Sequence, residues 1–137
     1  MSEPDPKGVA RRVVAAVSGA LVVAALAGCG GGGGSDAKPY RQPTGPADST
    51  LNIDASNFSF DPDHPVVKAG VVDLRLHGTE GTHTLVFDDN KEPGFQLEVN
   101  SGDTDAKKVD LKPGKYTFYC DIIGHRAQGM EGTITVK

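Results

Sequence analysis

The chain has 137 residues, with 18 acidic and 14 basic side chains, a net charge of −4, and no tryptophan. Once the leader and linker described below are set aside, that length leaves room for one domain and excludes a second, catalytic one. The pI of about 5.5 gives nucleic-acid binding no electrostatic support, because a phosphate backbone needs a basic face.

In chain order, Lys7, Arg11 and Arg12 come first, then an apolar run from Val13 to Ala27, VVAAVSGALVVAALA. Its fifteen residues suit a signal peptide and fall short of the roughly 20 that a bilayer-spanning helix needs. The small residues at its end, Leu26-Ala27-Gly28-Cys29, resemble the lipobox of bacterial lipoproteins, where the chain is cut before a cysteine that carries lipid. The resemblance implies a signal peptide over 1–28, a lipid on Cys29, and a protein held on the extracytoplasmic face of the cell membrane. An uncleaved anchor is the plainer alternative. The two cysteines, Cys29 and Cys120, do not make a disulfide framework. Gly30 to Thr50, GGGGGSDAKPYRQPTGPADST, offers little to bury, so 29–50 is expected to be a disordered tether. As a flexible coil its ends would lie roughly 25 Å apart, keeping the domain at 51–137 near the membrane.

From Leu51 the pattern changes to short strand-like runs. These are Leu51 to Phe60, Val66 to Lys68, Val71 to His77, His83 to Asp88, Phe95 to Val99, Ala106 to Leu111, Lys115 to Cys120 and Thr133 to Lys137, rich in β-branched and aromatic residues. Turn residues separate them, including Asp61-Pro62-Asp63, Asp89-Asn90, Ser101-Gly102-Asp103 and Pro113-Gly114. No run keeps a helical period for long, so the expectation is an all-β Greek-key sandwich of seven or eight strands. Strand alternation places His83, Leu85 and Phe87 on one face and Tyr116, Phe118 and Cys120 on another. His83 and Cys120 can then meet at one pole of the sandwich.

After the aromatic strand comes CDIIGHRAQGM, which spaces Cys120, His125 and Met130 five residues apart. A helix turns about 500° over five residues, and a strand puts alternate side chains on opposite faces. Only a loop that folds back brings the three together. With His83 they make a thiolate, two imidazoles and a thioether, the soft set with one weak axial ligand that blue-copper electron-transfer centres use. Zinc would leave Met130 unexplained. A Cys-His nucleophile pair would need an orienting partner and an oxyanion hole, and Met130 serves neither. Taken singly, a buried cysteine, a surface histidine and a core methionine are ordinary. The remaining histidines, His64 in a turn and His77 at a strand end, read as non-ligands.

YTFYCDIIGHRAQGMEGTITV resembles the C-terminal signature of the cupredoxins, the plastocyanin and azurin family, and GTEGTHTLVFDD resembles the segment that bears that family's first histidine ligand. The Cys-x4-His-x4-Met spacing is similar to rusticyanin-type members. The resemblance covers Leu51 to Lys137 and implies one type 1 copper per domain. His83, Cys120 and His125 would be its equatorial ligands, Met130 its axial ligand, and the Gly81 carbonyl a weak contact on the other axial side. Many members have proline before the Gly-His pair, where this chain has Ile123, and asparagine beside the first histidine, where it has Thr82 and Thr84. Either threonine hydroxyl would serve as a hydrogen bond around the cysteine.

The function implied is a monomeric, membrane-anchored electron carrier and not an enzyme. Electrons would pass along the edge of His125, with Ile122, Ile123 and Ala127 as an apolar docking patch for a redox protein. From Leu51 onward, 14 acidic and 9 basic side chains leave −5, which suits a partner with a basic face. Two other classes stand beside this reading: a copper storage or delivery module using the same ligands, and a metal-free adhesion sandwich.

Overall fold

The computed structural model describes residues 39–137; the leader, Cys29 and the first part of the tether lie outside them. Among the described residues there are nine strands: β1 (Ser49–Ser56), β2 (Ser59–Asp61), β3 (Val66–Val67), β4 (Gly70–Gly78), β5 (His83–Phe87), β6 (Leu97–Val99), β7 (Thr104–Leu111), β8 (Gly114–Tyr119) and β9 (Glu131–Val136). One short 3-10 turn, Arg126–Gln128, interrupts the last loop. The strands form a four-stranded sheet in the order β2-β1-β4-β7 and a five-stranded sheet in the order β3-β9-β8-β5-β6. The pairs β1/β4 and β3/β9 are parallel; the other pairs are antiparallel. The expected all-β sandwich is present.

Alternation along each strand supplies the core, because residues two apart share a face. Leu51, Ile53 and Ala55 from β1 and Val72, Leu74 and Leu76 from β4 face Leu85, Phe87, Phe118 and Ile134 across the sandwich, all buried. The Phe60 and Phe118 rings sit 5.2 Å apart at 58°, a tilted contact of the kind aromatic pairs prefer.

Two expectations need correcting. The run Leu51 to Phe60 is two strands, because Asn57 and Phe58 form a turn and Phe58 takes a left-handed φ of 69°; this is how eight runs become nine strands. The tether also ends sooner than Thr50. Tyr40 Oη donates to the Lys108 carbonyl at 2.8 Å, and the Lys108 N–H donates to Gln42 Oε1 at 2.9 Å. The Tyr40 ring meets Phe95 edge-on at 5.1 Å. Asp48 then pairs with Val71 through both its backbone and its carboxylate. Residues 40–45 thus form a strap along the outer edge of β7, satisfying edge groups that an uncovered strand leaves open, and Asp48 leads into β1 alongside β4.

Candidate metal centre

His83 opens β5 and is fully buried. Its Nε2 lies 2.6 Å from the Glu80 carbonyl oxygen. A carbonyl only accepts, so Nε2 carries a proton, and Nδ1 is the nitrogen left to offer a lone pair to a metal. That Nδ1 is buried and has no hydrogen-bond partner, an arrangement that is costly unless something else satisfies the atom. Gly81 packs beside this ring: a Cβ there would come within 3.3 Å of His83 Nε2 and 2.8 Å of Asn57 Oδ1.

Cys120 follows β8 as a fully buried free thiol. The loop after it closes on itself, since the Cys120 N–H donates to the Met130 carbonyl at 3.1 Å and the Met130 N–H to the His125 carbonyl at 3.2 Å. Gly124 (φ 86°) and Gly129 (φ 98°) make the two reversals in a region that side-chain-bearing residues rarely occupy. The fold-back demanded by the five-residue spacing is therefore built. His125 Nδ1 lies 3.5 Å from Cys120 Sγ, and the His83 and His125 rings are 5.3 Å apart. One ligand atom from each of His83, Cys120 and His125 falls within 4.8 Å of the others. Met130, at the end of the same loop, is fully buried.

Of the two threonines beside His83, only Thr84 reaches the cysteine. Its N–H points at Cys120 Sγ at 3.4 Å, and its Oγ1 lies 3.6 Å from Sγ and 2.5 Å from Asp121 Oδ1. Thr82 turns away and donates to Asn100 Oδ1 at 2.9 Å.

Arg126, three residues after Ile123, ties the loop to the strands. Its Nη2 donates to Asp88 at 2.5 Å, its Nε to Glu131 at 2.9 Å, and its guanidinium lies 4.1 Å from the Tyr119 ring centre. The hydrogen bond from Arg126 holds the Asp88 carboxyl below its ordinary range, and the two carboxylates raise Arg126 in return. The sequence shows none of this, because the three partners come from three different strands or their ends.

The expected docking residues divide. Ile123 is 99% exposed and Ala127 is exposed, whereas Ile122 is half-buried and packs against the core, so it anchors the loop and offers less surface than its neighbour. Phe58, which sequence reasoning missed, meets His125 edge-on at 5.1 Å and 86°. It lies on the β1–β2 turn, far from the motif in the chain, and carried no signal of its own. His64 and His77 sit in exposed pairs with Asp63 and Asp54, away from the cluster.

A model of the copper binding proteins of the plastocyanin/azurin family matches residues 47–137. This chain belongs to that family. The cupredoxin fold recurs in solved structures at low identity. Auracyanin B aligns with a TM-score of 0.60 at 19% identity, covering 70% of this chain and 94% of its own. A dithionite-reduced auracyanin from the photosynthetic bacterium Roseiflexus castenholzii aligns with a TM-score of 0.54 at 20% identity, covering 67% and 99%. A reduced amicyanin variant gives 0.51 at 15% identity, covering 64% and 82%. No curated relative matches the sequence. The donor set fits the family's metal: His83, Cys120, His125 and Met130 are arranged as a type 1 copper site, with a buried thiol and, on His83, a buried imidazole nitrogen that has no partner.

Proposed function

We propose that this cupredoxin is a one-electron carrier anchored outside the cytoplasm by a lipid on Cys29. His83, Cys120 and His125 would hold one copper, with the Met130 thioether and the Gly81 carbonyl as further, weaker donors. When bound, copper supplies a Cu(II)/Cu(I) couple. The chain's part is to hold the ligands in one arrangement for both states, through the closed Cys120–Met130 loop and the Arg126 contacts to the sheet.

The observation that favours carriage over storage is Ile123. A store needs ligands and an exit for copper, but it has no use for a 99% exposed isoleucine two residues before a ligand histidine. Ala127 and Phe58, whose ring meets that of His125, offer further apolar surface that a partner can desolvate, and the half-buried His125 is the route for the electron. The acidic domain suits a monomer docking briefly on a basic partner face.

Electron self-exchange between oxidised and reduced copies tests this without knowledge of the partner. Ile123→Asp should leave the blue spectrum and copper affinity unchanged and slow self-exchange several-fold. At about 1 M salt, where screening acts within about 3 Å, the slowing should persist, because it comes from lost apolar contact and not from repulsion. An unchanged rate, together with ready transfer of copper to an apo-acceptor, would replace the carrier reading with delivery.

A further inference from the structure

We propose that Asp121 sets the reduction potential of the centre by holding the Thr84 hydroxyl proton away from the Cys120 sulfur. The proposal rests on the reading that Cys120 is a copper ligand and concerns what surrounds its sulfur.

The Thr84 hydroxyl has one proton and two acceptors within reach. Cys120 Sγ is 3.6 Å away and Asp121 Oδ1 is 2.5 Å away. A hydroxyl-to-carboxylate bond at that length is charge-assisted and about twice as strong as a neutral one, whereas sulfur is a weak acceptor. The orientation is fixed from the other side as well, since the Asp121 N–H donates to Thr84 Oγ1 at 3.0 Å. Asp121 therefore fills a lone pair of the hydroxyl with its amide and takes the proton with its carboxylate. What remains for the sulfur from Thr84 is the backbone N–H at 3.4 Å. Thr84 is buried and Asp121 is exposed, so the pair reaches from the thiol to solvent in two residues.

Hydrogen bonds to a ligating sulfur, and charge close to it, set the potential of a thiolate-bound metal. Reduction adds negative charge to the metal-sulfur unit, so a donor at sulfur favours the reduced state and a nearby carboxylate disfavours it. By withdrawing the one and supplying the other, Asp121 lowers the potential twice over. It touches no metal; it acts as a positioning residue through Thr84.

Three variants separate the two effects. Asp121→Asn removes the charge and keeps an oxygen that accepts the hydroxyl proton. Asp121→Ala removes both and frees the hydroxyl to turn to sulfur. The double variant Asp121→Ala with Thr84→Val removes charge and hydroxyl together. In redox titrations of copper-loaded protein the Asn variant should have a higher potential than the native protein, and the Ala variant a higher one still. That further step should be roughly threefold to tenfold in the reduction equilibrium constant, a tenfold change being 59 mV for one electron. The double variant should fall back to the level of the Asn variant. The sulfur-to-copper absorption band should move to higher energy in the Ala variant and stay in place in the Asn variant, which a merely structural role for Asp121 would not produce. Equal potentials for Asp121→Asn and Asp121→Ala would overturn the proposal, as would a double variant that matches Asp121→Ala. A native protein that binds copper without a blue colour would count against Cys120 as ligand; a blue native protein with equal variant potentials counts against the role of Asp121 alone.

Discussion

At Gly132 a Cβ would lie 2.5 Å from Phe118 Cζ and closer still to the Asp63 carbonyl oxygen, so the glycine is there for space. The Phe118 ring fills the core below the ligand loop and is fully buried, and overpacking such a site costs about 1–3 kcal/mol. Gly132→Ala should therefore lower the unfolding free energy by that much, seen as a lower denaturant midpoint at an unchanged slope; an unaltered midpoint would show that the ring and the Asp63 bend between β2 and β3 shift freely. The same scale shows what a sequence discloses. Cys120, His125 and Met130 were legible because soft donors are scarce here, with two cysteines and two methionines in the whole chain, and their spacing forces a fold-back. Choosing between Thr82 and Thr84 was beyond the sequence, since both flank His83 and only their distant partners, Asn100 and Asp121, tell them apart. Phe58 was missed for the same reason: a turn residue beside a distant histidine leaves no local pattern.

Among the elements, the strap over β7 shows why the tether was drawn too long. PYRQPTGPADST has no apolar period and many turn residues, which is the composition of a linker. What holds it is one aromatic ring and a few side-chain bonds to a strand edge, and no periodicity records those. The strap has a pH signature. Burial first, then the carboxylates of Glu92 and Asp110, push the Tyr40 phenol from 10.0 up to about 12. A raised acid favours its protonated form in the folded state, so its contribution is fully present below pH 10 and fades as pH rises towards about 12. The stability difference between the native protein and Tyr40→Phe should be constant up to the ordinary tyrosine range and shrink across that window. An identical alkaline profile for both would mean that Tyr40 does not carry the effect. The strands themselves were readable because alternation survives in β1 and β4 and β5 is a short run of strand-forming residues buried on both faces; the split at Asn57-Phe58 was not, as both halves keep strand-like composition.

For the whole molecule, a small acidic sandwich gathers His83, Cys120 and His125 at one pole, where β5 begins and β8 ends. The leader lies outside the described residues, and its reading depends on Leu26-Ala27-Gly28-Cys29 following a short apolar run. If Cys29 is the anchor, mass spectrometry of the membrane-extracted protein should show lipid that Cys29→Ala abolishes; the same lipid mass on that variant would remove Cys29 from the account. Two or more acyl chains hold a protein stably where one does not, so the full lipid complement matters to the carrier reading. The central claim is that Cys120, with His83, His125 and Met130, makes one type 1 copper site. It is tested most directly by adding Cu(II) to the purified apo-protein and recording the visible spectrum of the native chain and of Cys120→Ser. The expected result is an intense blue band in the native protein that saturates at one copper per chain and is missing from the variant. A colourless native protein, or an equally blue Cys120→Ser, would contradict it.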